Sequence, residues 1–393
     1  MKIGLVLPNL PAYSETFFRN KILGLQQNGH EIILFVNSKP QNSNYLDCKI
    51  VRAPKLSGNK LHVAIGSLTQ TLKAVFVHPK KSLSLYKLNR KDGISLKENL
   101  KNIIANQFLL TEQLDWLHFG FGTMALGREN IARVIGAKMA VSFRGFDYYV
   151  YPLKNKNCYA SLFSKEVKYH VLSNAMKEGL IRQGILKENI VKITPAIDID
   201  LFEKTATPNN KTIQLTTISR LHSIKGLDYI LEALSKLKNE GIKFEYTIIG
   251  DGIEKERLLF AAYQLGIKEN VNFAGKLSPS EVKEELEKTD IYLQYSIQEG
   301  FCNAVLEAQA MGLLCIVSNA EGLSENVLNN QTGWVVEKRN PILLTEKILE
   351  VVRLDEEQKK LIKANARNRI LKEFNINDQI QKFIEFYNNG RSN

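Results

Sequence analysis

The chain alternates between short continuous apolar runs and stretches with apolar positions at helical spacing. Lys2–Pro8 (KIGLVLP) is such a run, typical of a parallel strand buried on both faces. Ser14–Asn28 has helical spacing with Ser14 as its predicted N-cap, Gly29 ends it, and Glu31–Val36 is a second run. This order predicts a βαβ unit. The same rhythm returns at Trp116–Phe119, Ile131–Ile135, Met139–Phe143 and Tyr169–Leu172.

A second alternation begins after a predicted linker, Ile193–Asn210, which has two prolines and a polar tail. Its predicted strands are Ile213–Ile218, Phe244–Ile249, Val271–Phe273, Ile291–Gln294 and Cys315–Ser318. Its predicted helices are Gly226–Gly241, Leu258–Leu265, Val282–Lys288 and Ala304–Met311. Glu356–Tyr387 is helical in pattern and has no strand after it. The pattern therefore predicts a second α/β domain of similar type.

The predicted fold is α/β, with two doubly wound Rossmann-like domains facing a central cleft. The domains are predicted at residues 1–200 and 201–372, with residues 373–393 as a C-terminal helix that packs back on the first domain. A chain of 393 residues is too long for one ordinary core. No GxGxxG motif follows the first strand, so the dinucleotide-binding fingerprint is absent. Clefts at strand ends and helix N-termini favour anionic ligands.

The four cysteines are scattered and predict neither a disulfide framework nor a zinc site: Cys48, Cys158, Cys302 and Cys315. The N-terminus does not have the pattern of a signal peptide, and no segment approaches the roughly 20 apolar residues that span a bilayer. These features predict a cytoplasmic protein.

The net charge of +12 lies entirely in the first half of the chain. Residues 1–200 contain 28 Lys+Arg and 14 Asp+Glu, a balance of +14, whereas residues 201–393 contain 25 and 27, a balance of −2. The basic residues are densest between Lys73 and Lys101, where apolar residues lie among them. An isolated run of this kind is ordinarily a solvated helix face. The alternative is docking to anionic lipid headgroups. Nucleic acid ranks below lipid, because no stacking-aromatic or helix-turn-helix pattern accompanies the charge.

Three segments of the second half combine charge, glycine and a strand-to-helix junction. In Ser219–Gly226 (SRLHSIKG), two cations, Arg220 and Lys225, lie five residues apart before a helix and can reach one diphosphate. In Glu299–Glu307 (EGFCNAVLE), two carboxylates flank a turn whose backbone N–H groups suit an anion or a sugar. Gly250-Asp251-Gly252 ends a strand and suits close approach to a ligand. Solvated loop cations, a surface Glu pair and a plain turn would look the same in isolation.

Taken together and in order, these segments resemble the nucleotide-binding half of glycosyltransferase family 4, a retaining family with the GT-B fold. The matching pieces are SRLHSIKG, IIGDG, VNFAGKL, EGFCNAVLEAQAMG and SNAEGLSENV, over about a hundred residues. In the first half, SETFFRNKILGLQQNGHEI resembles members that build extracellular polysaccharide. ITPAIDIDLF resembles the inter-domain segment, with Ala196 where glycine is usual.

The resemblance implies a role for each matching residue. Arg220 and Lys225 would neutralise the donor diphosphate, Glu299 would face the donor sugar, and Glu307 would bind the ribose. The other donor-binding positions are backbone and turn residues: Gly250, Gly252, Gly275, Lys276, Leu277, Gly300, Phe301, Cys302 and Asn303. Ser14, Glu15 and Thr16 would form an acceptor or phosphate loop. The family is metal-independent, because cations and a helix dipole stabilise the leaving group.

The sequence departs from the family's pattern at two places. Cys302 stands where proline is usual, which should be tolerated. Arg144, in SFRGFD, stands where many relatives have a histidine near the reacting sugar. Arginine can bind a hydroxyl or stabilise charge but cannot act as a base. His118, at the end of a predicted strand, is the other candidate, although a lone histidine there is more often structural.

The expected activity is a retaining, metal-independent transfer of a sugar from a UDP- or GDP-linked donor, without a further cofactor. The acceptor would be a lipid-linked or polysaccharide chain at the inner face of the membrane, in cell-surface polysaccharide biosynthesis. Two alternatives remain: a nucleotide-sugar epimerase of the same fold and a non-catalytic nucleotide-sugar binder.

Overall fold

The computed structural model describes residues 1–11, 16–37, 45–56, 60–202 and 212–388. Contacts divide the chain into two compact units. The first comprises Met1–Val171, Met176–Ile193 and Ile380–Asn393, and the second comprises Leu172–Ala175 and Thr194–Gln379. The sequence placed the divisions at 200/201 and 372/373.

The first unit contains a seven-stranded parallel sheet in the order β3-β2-β1-β4-β5-β6-β7. Its strands are β1 (Lys2–Leu7), β2 (Glu31–Val36), β3 (Lys49–Arg52), β4 (Trp116–Phe119), β5 (Lys138–Ser142), β6 (Lys168–Val171) and β7 (Ile190–Lys192). Most of β1 and β2 is buried, as continuous apolar runs predict.

The α-helices of this part of the chain lie between and around its strands. They are α1 (Thr16–Gln27), α2 (Lys60–Leu72), α3 (Pro79–Lys91), α4 (Leu96–Ala105), α5 (Gly122–Ala125), α6 (Ile131–Ile135), α7 (Tyr151–Lys154), α8 (Ala160–Phe163) and α9 (Asn174–Arg182). Several of these helices were not predicted from the sequence, whereas α1 was. Two π-helical segments, Lys73–Val77 and Phe146–Val150, continue into α3 and α7. Gly29, with a φ of 76°, follows α1 as predicted.

The second unit contains a six-stranded parallel sheet in the order β10-β9-β8-β11-β12-β13. Its strands are β8 (Ile213–Ile218), β9 (Phe244–Ile249), β10 (Val271–Gly275), β11 (Ile291–Gln294), β12 (Leu314–Ser318) and β13 (Trp334–Val336). Its helices are α10 (Leu227–Asn239), α11 (Lys255–Gln264), α12 (Pro279–Lys288), α13 (Asn303–Ala310), α14 (Leu323–Asn326), α15 (Pro341–Arg353) and α16 (Glu356–Glu373). The prediction of two Rossmann-like sheets is confirmed.

The C-terminal segment is two helices rather than the single helical stretch that the pattern suggested. The helical conformation is interrupted after α16 at Phe374 and Asn375, where Ile197 N–H donates to Phe374 O at 3.1 Å. Asn375 Oδ1 then accepts from Asn377 N–H, and α17 (Ile376–Asn388) begins. At this break Phe374 O thus accepts a hydrogen bond from the segment that contains Ile197, which forms an isolated bridge with Asn375. Side chains of α17 pack into the core of the first sheet: Phe383, Phe386 and Tyr387.

Among the helices of the described residues, none has both the length and the apolar character needed to cross a bilayer.

Candidate active site

The order of the second sheet brings two chemistry-bearing loops together. β8 and β11 are neighbouring parallel strands, and their carboxyl ends lead into the loops at 219–226 and 295–302. The strand order changes direction here: β9 and β10 follow on one side of β8, and β12 and β13 follow on the far side of β11. This topological switch point is where α/β sheets bind ligands. Ile297 N–H donates to Ile224 O at 2.8 Å, so the two loops are bonded to each other.

Lys225 and Glu299 form an ion pair between these two loops. Their side chains are only 11% and 13% exposed. Burial lowers the pKa of Lys225, but the facing Glu299 carboxylate outweighs that effect, so its pKa lies above its ordinary value. Ser296 Oγ donates at 3.2 Å to Glu299 Oε2, the same oxygen that faces Lys225, and helps to hold the carboxylate in place. The second unit therefore holds a charged lysine in a poorly solvated position, where its attraction for an anion is strong.

Gly226 lets the 219–226 loop approach the 295–302 loop. Its φ is 62°, and a Cβ there would lie 2.2 Å from Tyr295 O. A side chain would thus drive the two loops apart, which explains a glycine at this position. From the sequence, Gly226 was identified only as part of a motif, because its contact residue, Tyr295, lies 69 positions away.

Arg220 is exposed and follows β8 directly. The predicted glycine pair, Gly250 and Gly252, shapes this loop: a Cβ on Gly250 would lie 1.9 Å from Ser219 O, and one on Gly252 would lie 2.2 Å from Leu221 O. Leu221 N–H donates to Asp251 O at 3.0 Å. The close approach in the structure is between two segments of this chain, and approach of these glycines to a ligand stays a prediction.

The neighbouring strand β10 ends at Gly275, whose carbonyl accepts from Gly250 N–H at 2.7 Å. Gly275 has a φ of 72° and open space where a Cβ would be. Lys276 is exposed and Leu277 is half-buried. These three residues thus adjoin the Gly250 turn at the same edge of the sheet.

The turn before α13 is held by two residues that the sequence did not single out. Asn326 is fully buried; its Oδ1 accepts from Cys302 N–H and its Nδ2 donates to Cys302 O, both at 3.0 Å. Gly322 packs against the backbone, because a Cβ there would lie 2.1 Å from Gly300 O. Both belong to the SNAEGLSENV segment, so the motif contained the signal, but the partners could not be read from it.

This arrangement leaves the turn from Gly300 to Asn303 as a fixed entry to α13. Phe301 is buried against Phe374, with ring centroids 5.8 Å apart. Burial raises the pKa of the Cys302 thiol to about 12, so this cysteine stays protonated at neutral pH. The backbone N–H of Cys302 also donates a hydrogen bond, which the proline that is usual at this position could not donate.

Glu307 lies one turn into α13 and is half-buried. Burial raises the pKa of its carboxyl to about 7, from an ordinary 4.5. Fixing a desolvated carboxyl in a helix costs stability and is typical of a binding group. A vicinal diol could supply the hydrogen bonds that favour its ionised form.

In the first unit, Arg144 stacks on aromatic rings rather than projecting freely. Its guanidinium carbon lies 3.8 Å from the centroid of Phe17, 4.8 Å from that of Phe18 and 5.5 Å from that of Phe121. Asp147 fixes the loop by accepting from Arg144 N–H at 2.8 Å. The residue therefore lies beside the first turn of α1. Ser14 and Glu15 lie outside the described residues, and of Thr16 only its place at the start of α1 is described.

His118 does not occupy a solvent-accessible site, contrary to its place among the catalytic candidates. It is 0% exposed, its Nδ1 lies 2.6 Å from Tyr387 Oη, and its ring stacks on Phe386. Lys21 Nζ lies 3.3 Å from the same Nδ1. We therefore assign His118 a packing role against α17. The sequence could not show this, because the partners lie about 270 residues later.

The hydrogen-bond pattern fixes the tautomers of this buried cluster. His170 Nε2 bonds to Ile193 O, which can only accept, so Nε2 carries the proton and Nδ1 accepts from Ser142 Oγ at 2.8 Å. Ser142 Oγ must then accept from His118 Nε2–H at 2.8 Å. His118 Nδ1 is left as the acceptor for Tyr387 and Lys21. Burial lowers the pKa of both histidines and of Lys21 well below their ordinary values.

Two parallel Rossmann-like sheets are the architecture of the GT-B glycosyltransferases, and the Lys225 cation lies at the switch point of the second sheet. Residues 198–369 match the family model described as "Glycosyl transferases group 1". This segment of the chain is therefore a glycosyltransferase group 1 domain.

Three similar proteins cover most of the chain. The putative colanic acid biosynthesis glycosyltransferase WcaL of Escherichia coli K12 is 25% identical, over 98% of this chain and 100% of that protein. The amylovoran biosynthesis glycosyltransferase AmsK of Erwinia amylovora is 26% identical, over 75% and 74%. Anabaena Alr3699/HepE, solved with UDP and glucose, has a TM-score of 0.74 at 13% identity and covers 99% of this chain and 100% of its own.

Proposed function

We propose that this glycosyltransferase moves a sugar from a UDP- or GDP-linked donor to a glycan or lipid-linked acceptor during assembly of an extracellular polysaccharide. The observation that carries the proposal is the desolvated Lys225 at the switch point, with the exposed Arg220 on the same loop. The names of WcaL and AmsK refer to polysaccharide biosynthesis, and HepE was solved with UDP and glucose. These likenesses support the class of acceptor and the type of donor.

Each residue of the second unit takes one part of the donor. Lys225 and Arg220 neutralise the diphosphate, and Lys225 exchanges Glu299 for phosphate oxygens as the donor binds. Glu299, released from its lysine, accepts hydrogen bonds from sugar hydroxyls. Glu307 accepts from the ribose diol in its ionised form. The backbone from Gly300 to Asn303 donates at the start of α13, where the helix dipole favours negative charge.

The reaction we propose retains the anomeric configuration. The bond between the sugar's anomeric carbon and the diphosphate oxygen breaks, and the acceptor oxygen bonds to that carbon on the same face. The acceptor proton passes to the leaving diphosphate. Charge builds up on the diphosphate in the transition state, and the two cations with the α13 N-terminus stabilise it without a metal ion. Arg144, which cannot act as a base, binds an acceptor or sugar hydroxyl in this scheme.

The site of action we propose is the inner, cytoplasmic face of an anionic membrane, because the excess positive charge lies in the first half of the chain.

The direct test is product analysis with UDP- and GDP-sugars and lipid-linked acceptors, followed by mass spectrometry and by NMR of the new linkage. We expect transfer with the donor's anomeric configuration preserved, and loss of transfer in Lys225→Ala. An epimerised nucleotide-sugar formed without acceptor would replace the proposal with an epimerase. Binding of donor with no turnover on any acceptor would replace it with a non-catalytic binder.

A further inference from the structure

Helix α2 and the π-helical segment after it expose an unusual set of apolar side chains. They form one group, the apolar stripe: Ile65, Leu68, Leu72, Val75, Phe76 and Val77. Phe76 is 75% exposed, and Leu68 and Val77 are each 61% exposed. Single exposed apolar residues are ordinary on a protein surface, but six of them within residues 65–77 indicate an interaction site.

The spacing places the three stripe residues of α2 on one side of that helix. Ile65, Leu68 and Leu72 are related by i, i+3 and i+7, which is one face of an α-helix. The same helix buries a polar residue, Gln70, which is 8% exposed and whose Oε1 has no hydrogen-bond partner among the described residues. A surface helix of a globular protein ordinarily buries its apolar side chains and exposes its polar ones. The outward face of α2 is therefore suited to an apolar environment.

Cations lie close to this stripe in the sequence. Residues 60–101 contain nine Lys or Arg residues but only two acidic ones, Asp92 and Glu98. The exposed cations nearest in sequence are Lys73, Lys80 and Lys87. Lys81, which the charge pattern grouped with them, instead donates to Leu110 O at 2.7 Å and is part of the fold. Apolar side chains near exposed cations match the boundary between anionic headgroups and acyl chains.

We propose that the apolar stripe inserts into the surface of an anionic bilayer, with the neighbouring lysines on lipid phosphates. The inference rests on the proposed membrane-linked acceptor and names the surface that holds the enzyme there. With 13 residues, α2 is about 20 Å long, too short to cross a bilayer, so it lies in the interface. A second copy of the chain fits less well, because a symmetric contact would bring the same lysines together. Nucleic acid would leave the stripe exposed to water.

The test is co-sedimentation of the full chain with vesicles of phosphatidylcholine, with and without phosphatidylglycerol. We expect binding only when phosphatidylglycerol is present, and a residual part that survives high salt, because salt screens the lysines but not the apolar contact. Phe76→Ser should weaken binding about tenfold, since burying one aromatic side chain contributes on the order of that factor. Leu361→Ser is the matched control: Leu361 is 60% exposed on α16, and its loss should change nothing.

Insertion itself is measured with Phe76→Trp. Both native tryptophans, Trp116 and Trp334, are buried, so a blue shift on adding vesicles would report the new side chain. No blue shift, or equal binding by Phe76→Ser and the parent, would overturn the proposal. Self-association that Phe76→Ser abolishes, without vesicle binding, would assign the stripe to a second copy. Donor binding in solution is measured on the same variants: its retention separates a failure of docking from a failure of the proposed function.

Discussion

Replacing Glu307 by glutamine should make the protein more stable and the donor site weaker. The carboxyl is half-buried on α13 and burial raises its pKa from 4.5 to about 7. A carboxyl with a raised pKa in the folded state binds its proton more tightly than in the unfolded chain. Its contribution to stability is therefore lost as pH rises from 4.5 to about 7. Above that range the loss amounts to about 3 kcal/mol.

The pH dependence isolates this effect from any change in packing. Glutamine has nearly the shape of the neutral acid and does not titrate, so the two proteins should differ least at low pH. The free energy of unfolding of Glu307→Gln minus that of the parent should grow by about 2 kcal/mol between about pH 5.5 and about pH 8. Urea unfolding at the two pH values, followed by circular dichroism, measures it. Glu269→Gln is the control, since that carboxyl is exposed to solvent.

The same variant should bind the donor about tenfold to a hundredfold more weakly, because a hydrogen bond to a charged acceptor contributes roughly 1.5–3 kcal/mol. A variant that is more stable and yet binds less cannot be explained by partial unfolding. A stability difference that stays constant with pH would refute the argument that Glu307 is held desolvated for its ligand.

Three further predictions concern other parts of the molecule. Gly250→Ala should lower both the stability and the donor affinity, because its Cβ would lie 1.9 Å from Ser219 O. Gly266→Ala is the control, since Gly266 also has a positive φ but has open space where a Cβ would be. This control should lower the free energy of unfolding in urea by only about 1 kcal/mol and should leave donor binding intact. Lys21→Met should stabilise the protein, because burial lowers the folded pKa of Lys21 well below 10.5. Between these two pKa values the unfolded chain binds a proton that the folded chain lacks, so the gain measured by urea unfolding should grow as pH falls through that window, by at most about 1.4 kcal/mol per pH unit. Donor affinity of the parent, measured by calorimetry, should rise between about pH 6 and about pH 8 as Glu307 ionises, and a flat profile would count against its role.

Much of the sheet could be predicted because its central strands are buried on both faces. Glu31–Val36, Trp116–Phe119, Phe244–Ile249 and Ile291–Gln294 have the predicted bounds, since continuous apolar runs bounded by polar or glycine residues leave little choice. β13 was missed. It has three residues, and pairing with β12 decides that they form a strand.

The candidate site, like the fold, could be predicted from the sequence only in part. The motif order located Lys225 and Glu299, because cations and carboxylates at strand-to-helix junctions carry a local signal. That the two form an ion pair, and that Asn326 braces Cys302 from 24 positions away, depends on the neighbouring order of β8 and β11 and on the docking of α14. The burial of His118 by α17 is a tertiary contact too, and its position at the end of a strand does not reveal it.

The central claim is that the buried Lys225 binds the donor diphosphate. Calorimetric titration of UDP and GDP into the parent, Lys225→Ala and Lys236→Ala tests it directly; Lys236 is an exposed lysine on α10 and serves as the matched control. We expect one of the two nucleotides to bind the parent and Lys236→Ala alike, and to bind Lys225→Ala at least about thirtyfold more weakly, as loss of a desolvated charge contact implies. Equal affinity in Lys225→Ala, with its fold intact by circular dichroism, would contradict the account.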